Sequence, residues 1–222
     1  MFSNFENRIK EKLQKSKDIT QNVISLILFG SYIRGDYIPG LSDLDFLVII
    51  KDFDEEIYLK VKNILMEETR DLNPKLIDLP YELLENLSDP INKGYQFKFL
   101  TFYQKDFLKN HKVIYGREIK HLIPRYKQKN LIKWRAEKML SNAKRFASEN
   151  PELLKIQAGE VAKFLAVING ENKISKQNIL TSLKKLGDEK AYKIYYKYVN
   201  NINEMKSNEY YIDFIESRLK NY

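Results

Sequence analysis

Hydrophobic and polar positions change their period once along the chain. Upstream of residue 128, short apolar runs alternate with helix-period stretches, and downstream the period is helical throughout. VISLILF (23–29), DLDFLVII (43–50) and KLIDL (75–79) are dense in Val, Ile and Leu and read as strands. Between the last two, DEEIYLKVKNILMEETRDL (54–72) sets Ile57, Val61, Ile64 and Leu65 at helical spacing behind an acidic first turn, which predicts a helix. Residues 81–127 are less regular. A helix around 97–110 and a turn at Tyr115–Gly116 are expected there. From about 129 to 148, Ile132, Ala136, Met139, Leu140, Ala143, Phe146 and Ala147 share one helix face. Asn150–Pro151 supplies a cap and a first-turn proline for a helix that stops at Gly170. Ser175 opens another helix, ending at Gly187. Asp188 opens a third, running to about Asn203, and a last one covers about 207–221. Links this short favour antiparallel neighbours. The expected layout is an α/β (α+β) domain at 1–127 followed by an all-α helical-bundle domain at 128–222.

Composition narrows the chemistry. The 222 residues suffice for one large core or two smaller ones. The absence of cysteine excludes a disulfide scaffold, a thiolate zinc site and a cysteine nucleophile. The two histidines, His111 and His121, are too few for a His-rich metal centre and read as ordinary polar residues. The longest apolar run, 23–29, is broken by Ser25 and too short for a membrane span. The start, MFSNFENRIKEKLQ, carries acids and has no apolar signal core, so a cytoplasmic protein with no membrane partner is expected. Charge is uneven: residues 1–127 carry 20 Lys/Arg against 19 Asp/Glu, and residues 128–222 carry 18 against 11. A basic half joined to a neutral half fits an anionic partner or a merely well-solvated bundle.

Residues 28–50, LFGSYIRGDYIPGLSDLDFLVII, carry the chemistry. A strand ends at Phe29, and Gly30–Ser31 turns the chain into a short helical segment whose free N–H groups suit an anion. Ser31 adds a hydroxyl. Arg34, one turn on, either contacts that anion or braces the loop. Asp43 and Asp45 flank Leu44, and residues two apart in a strand share a face. Carboxylates that close need a cation, and Mg²⁺ takes carboxylate and phosphate oxygens together. Asp78, embedded in the apolar KLIDLP, would be a buried carboxylate in need of a partner, and a neighbouring strand could bring it to the same metal.

In this order, Gly30, Ser31, Arg34, Gly35, Ser42, Asp43 and Asp45 resemble the signature of the DNA polymerase β-type nucleotidyltransferase superfamily, above all its minimal and kanamycin-nucleotidyltransferase-like branches. Asp78 matches the third carboxylate of that family. FLKNHKVIYGREI (107–119) is similar to a segment that follows the catalytic sheet in aminoglycoside nucleotidyltransferases. The resemblance implies a nucleotidyltransferase domain with a small mixed sheet and a helical partner domain that binds the acceptor. It implies an enzyme that transfers a nucleoside monophosphate, most often AMP, from an NTP such as ATP to an acceptor hydroxyl, with pyrophosphate as the leaving group. Two Mg²⁺ ions, or Mn²⁺, would be held by Asp43 and Asp45, with Asp78 on the catalytic one. Gly30 and Ser31 would hold the phosphates, with Arg34 assisting or bracing.

The acceptor is open to three readings: an RNA 3′ end, a side chain of a partner protein of toxin type, or a small molecule. The excess positive charge of 128–222 counts against a polycationic aminoglycoside and mildly favours RNA, or simply the NTP. Trp134, Lys138, Ser141 and Arg145 line the side of the first bundle helix away from its core, where Trp134 either stacks on a base or packs against the catalytic domain. Lys190, Lys193 and Lys197 form a stripe that reads as a solvated face, with Tyr192, Tyr195, Tyr196 and Val199 opposite as core. The absence of His after 121 removes the Arg-x₄₋₆-His motif of ribonuclease bundles of the HEPN type. The competing class is a non-catalytic or antitoxin-type binding module that keeps the nucleotidyltransferase fold. The three intact carboxylates argue against it.

Overall fold

A computed structural model of the chain describes residues 5–202, 204 and 206–222. The first four residues of the N-terminal stretch, and Asn203 at the expected end of the helix opened by Asp188, lie outside them. The chain divides into two compact units, Met1–Arg125 and Tyr126–Tyr222.

The first unit is built on a mixed five-stranded sheet. Strands β1 (Val23–Phe29) and β2 (Leu44–Ile50) pair antiparallel at its centre, and β5 (His111–Gly116) adds antiparallel to β1. Two short strands, β3 (Ile77–Asp78) and β4 (Tyr81–Leu83), pair parallel with successive parts of β2. The central strands are apolar on both faces because both faces are covered. On one side Leu26, Leu28, Leu44, Phe46, Val48 and Ile50 pack against helices α1 (Phe5–Gln14), α2 (Lys17–Asn22) and α4 (Glu55–Glu68). On the other, Ile27, Phe29, Leu47 and Ile49 meet Leu87, Leu100, Phe107, Ile119 and Ile123 from the irregular segment. A four-residue helix, α3 (Ser31–Arg34), follows β1 directly.

Three sequence expectations change here. β5 occupies the place where only a turn was expected at Tyr115–Gly116. The helix expected around 97–110 shrinks to α5 (Gln104–Lys109). The apolar run KLIDL contributes only two strand residues: Leu76 is 58% exposed, and Asp78 is exposed rather than buried.

The second unit is a bundle of α6 (Ile132–Glu149), α7 (Pro151–Ile168), α8 (Lys176–Lys185), α9 (Glu189–Val199) and α10 (Asn208–Leu219). Its starts follow the caps. Asn150 accepts from the N–H groups of Glu152 and Leu153, and Ser175, Asp188 and Ser207 each accept from an N–H three residues on. Helix α7 is buried along most of its length and packs against the other four. On α9 the core side chains are Ala191, Ile194 and Tyr195. Tyr196, expected in the core, is 43% exposed and stacks on Tyr192 instead. The lysine stripe of α9 is spent locally: Lys190 lies over the Tyr210 ring at 4.4 Å, Lys193 pairs with Glu189 at 3.1 Å, and Lys197 pairs with Glu204. Lys138 lies over the half-buried Trp134 ring, 5.6 Å from its centroid.

Polar groups enter this second core. Arg135 and Glu160 are each 5% exposed and lie 4.0 Å apart, and the Tyr198 hydroxyl donates to Glu160 at 3.3 Å. Gly159 lies against the Tyr198 ring, where a Cβ would come within 2.4 Å of Cγ. With its hydroxyl tied to Glu160, the ring cannot retreat freely. Gly159→Ala should therefore lower stability by about 1–3 kcal/mol despite alanine's better helix propensity, read as a lower urea midpoint with the m-value kept.

Candidate active site

Strand register assembles the site. Antiparallel pairing sets Phe29 opposite Asp45, and parallel pairing sets Asp45 opposite Asp78. Residues directly opposite share a face, so Phe29, Asp45 and Asp78 form a row across one face at the end of the sheet. Asp43 stands just before β2, two residues from Asp45. The structure thus brings together the three carboxylates expected to share a site, although Asp78 sits at an open edge.

The Gly30 turn closes over that row. Gly30 has φ 76° and ψ −150°, a conformation essentially reserved for glycine. A Cβ there would fall 1.9 Å from Asp45 Oδ2 and 2.7 Å from its Cγ. The carboxylate of Asp45 therefore occupies the space that glycine's missing side chain leaves. Ser31 is buried and opens α3. Its carbonyl accepts from the N–H groups of Gly35 and Asp36, both at 3.0 Å, which folds the loop back on the turn. Ser42 is buried and structural: its Oγ accepts from the Ile38 N–H at 2.9 Å, and its carbonyl accepts from Lys75 N–H at 3.0 Å, tying the Asp43 loop to the segment before β3. Arg34 is engaged as a brace. Its Nε donates to Asp36 at 3.2 Å and its Nη1 to Asp106 at 2.9 Å, linking α3 and the loop after it to α5.

The electrostatics follow from crowding. Burial, with the charges of Asp78 and Asp43, pushes Asp45 up to about 7, against the pull of Lys98 and Arg34. Asp78 is also raised, by partial desolvation and the charge of Asp43, while Lys98 pulls it down. Tyr37 and Tyr58 rise through burial first, with Asp43 adding to the first and Asp78 to the second. Tyr58 also donates to the Leu79 carbonyl at 2.8 Å, fixing α4 to the strand that carries Asp78. Three oxygen-donor carboxylates that disfavour one another's charge suit a hard divalent cation. Among the described residues, no group of three His, Asp or Glu side chains encloses a metal position by itself. An ion here would take part of its oxygens from phosphate and water, which is the usual habit of Mg²⁺.

Two residues of this face were not singled out from the sequence. Lys98, half-buried, is the cation whose charge bears on both Asp45 and Asp78. Glu82 on β4 is fully buried and accepts from Leu83 N–H, Asn86 Nδ2 and Tyr95 N–H at 2.8–3.0 Å, pinning the start of the segment that carries Lys98. The only local signal for Lys98 is a lysine between aromatics in YQFKFLTFY (95–103). His111 pairs with Glu118 at 2.9 Å and stacks on Phe107.

The model of the nucleotidyltransferase domain family matches residues 6–145. In structure, the chain is similar to spectinomycin adenyltransferase AAD(9) from Enterococcus faecialis, solved with ATP and spectinomycin. The TM-score is 0.57 at 17% sequence identity, over 97% of this chain and 98% of that one. No curated protein matches the sequence. At that identity the structural likeness speaks for the fold alone. The family match spans well over half the chain, including the glycine turn, all three carboxylates and β5. The chain belongs to the nucleotidyltransferase domain family of the DNA polymerase β type, enzymes that transfer nucleoside monophosphates.

Proposed function

We propose that the protein is a Mg²⁺-dependent adenylyltransferase that moves AMP from ATP to an acceptor hydroxyl and releases pyrophosphate. The observation that carries this reading is the row of Asp45 and Asp78, with Asp43 beside it, under the Gly30–Ser31 turn. The adenyltransferase of similar fold was solved with ATP, which supports ATP as the donor.

In this mechanism Asp43 and Asp45 would hold the divalent ions, with Asp78 sharing the catalytic one. Mn²⁺ is an acceptable substitute. Bound metal supplies charge stabilisation at the transferred phosphoryl group and the leaving pyrophosphate. The N–H groups of the Gly30–Ser31 turn and the Ser31 hydroxyl orient the β- and γ-phosphates. Arg34 keeps the turn in place through Asp36 and Asp106. The acceptor oxygen forms its bond to the α-phosphorus as the bond to the bridging oxygen breaks. Asp78, open to solvent and raised from its ordinary value by desolvation, takes the hydroxyl proton. Most of the acceleration comes from positioning and charge.

The helical domain, 128–222, selects the acceptor. The neighbour's spectinomycin favours a small-molecule hydroxyl. The excess of Lys and Arg in 128–222 favours RNA or a partner protein of toxin type as a second reading. α-³²P-labelled ATP, offered with total RNA, cell lysate or a panel of aminoglycosides, separates them by which fraction takes up label. Donor binding is checked independently: Mg²⁺–ATP at about a hundred times its Kd should stabilise the protein by about 2.7 kcal/mol, read as a rise in Tm. No shift with any NTP would return the non-catalytic binding module.

A further inference from the structure

Lys98 sits in the aromatic segment that crosses the catalytic face of the sheet. Phe99 lies 4.5 Å from Phe29, which is directly opposite Asp45 in the β1–β2 register. Phe97 stacks on Phe99 at 5.1 Å and 9°, and Phe99 also meets Phe107 at 5.5 Å. Both rings pack into the core beneath the row of carboxylates. Upstream, the buried Glu82 holds the Tyr95 N–H at 2.8 Å. The backbone that carries Lys98 is thus fixed at both ends at the level of Asp45 and Asp78, and its charge bears on both. Arg34 bears on Asp45 but is already committed to Asp36 and Asp106.

We propose that Lys98 is a resident counter-ion of the carboxylate site, which opposes entry of a bare divalent cation and makes metal binding depend on the nucleotide. This rests on the nucleotidyltransferase reading and extends it to the order in which the site fills. An ammonium carried on this packed segment, whose charge reaches Asp45 and Asp78, repels a free divalent ion by Coulomb's law. A triphosphate brings anionic oxygens that accept from the same ammonium, so the repulsion disappears when metal and nucleotide arrive together. The site then stays closed to free metal in the absence of substrate, and Lys98 ends as a phosphate contact.

The test is metal binding without catalysis. Mn²⁺ affinity is measured by electron paramagnetic resonance, alone and with ATP, for the wild-type protein and for Lys98→Gln, Lys98→Met and Lys98→Arg. Circular dichroism melts confirm that each variant folds. Lys98→Gln and Lys98→Met should bind Mn²⁺ alone about tenfold more tightly than wild type, while Mn²⁺–ATP binds no more tightly or more weakly. Lys98→Arg should match the wild type. Unchanged or weaker Mn²⁺ affinity in both neutral variants, with wild-type Mn²⁺–ATP binding and transfer intact, overturns the role of Lys98 alone. A wild-type protein that neither binds Mn²⁺–ATP nor transfers AMP overturns the enzymatic reading, and this inference with it.

Discussion

Asp45→Asn is expected to abolish nucleotidyl transfer while making the metal-free protein more stable at neutral pH. The two effects share one cause. Asp45 is set opposite Asp78 and two residues from Asp43, under the Gly30 turn, where burial and its acidic neighbours push it up to about 7. An acid whose folded value lies above its unfolded one, ordinarily near 4, binds more protons when folded. Folding therefore loses stability as pH rises from about 4 to about 7, and the loss is complete above that window. Asparagine carries no charge, so the variant escapes a cost of about 4 kcal/mol at pH 8 and gains little at pH 4–5. In EDTA, the Tm difference between variant and wild type should be positive at pH 8 and shrink toward pH 5. Transfer should fall by roughly a thousandfold or more, the weight of several kcal/mol of transition-state charge stabilisation. Adding Mg²⁺ and ATP should raise the Tm of the wild type and leave that of the variant where it was. A variant less stable than wild type at pH 8, or one that still transfers, would remove Asp45 from the centre of the site.

What was legible in the sequence had local causes. Strand β1, the Gly30–Ser31 turn and strand β2 were readable because continuous apolar runs end in a glycine and in Ser-Asp-x-Asp. The bundle starts were readable because Asn150, Ser175, Asp188 and Ser207 are capping residues acting within three positions of themselves. What was not legible depends on partners far along the chain. HKVIYG (111–116) is mostly half-buried or exposed, and it becomes a strand because β1 offers it an edge. KLIDL looks like a buried strand but is held to two strand residues at the sheet's open edge, so its carboxylate is exposed. Tyr196 obeys helical periodicity and still faces solvent, because α7 contacts a neighbouring stripe of α9. Lys98 and Glu82 follow the same rule: beyond a lysine set between aromatics, no local pattern marks them, and sheet register with aromatic packing brings them to the site. The stretch from Gly30 to Asp45 was the more readable part because it is packed into one turn and one strand.

Gly30→Ala should cripple the enzyme through the same carboxylate. Two costs are combined at this position. Alanine must adopt φ 76° and ψ −150°, a strain of about 1–3 kcal/mol. Its Cβ must also share space with Asp45, whose Oδ2 and Cγ stand at 1.9 Å and 2.7 Å, and whose own Cβ stands at 3.1 Å. The carboxylate cannot yield without leaving its place opposite Asp78, and the turn cannot yield without moving the N–H groups of α3. Transfer should drop by about a hundredfold or more, and Mg²⁺–ATP should stabilise the variant far less than the wild type. A double-mutant cycle with Asp45→Ala separates the costs. In the Asp45→Ala background the two closest atoms are gone, so Gly30→Ala should cost only the backbone strain, leaving a coupling of a few kcal/mol in urea unfolding. If the two substitutions are additive, the turn does not close on the carboxylate. Glycine would then be required only for its φ.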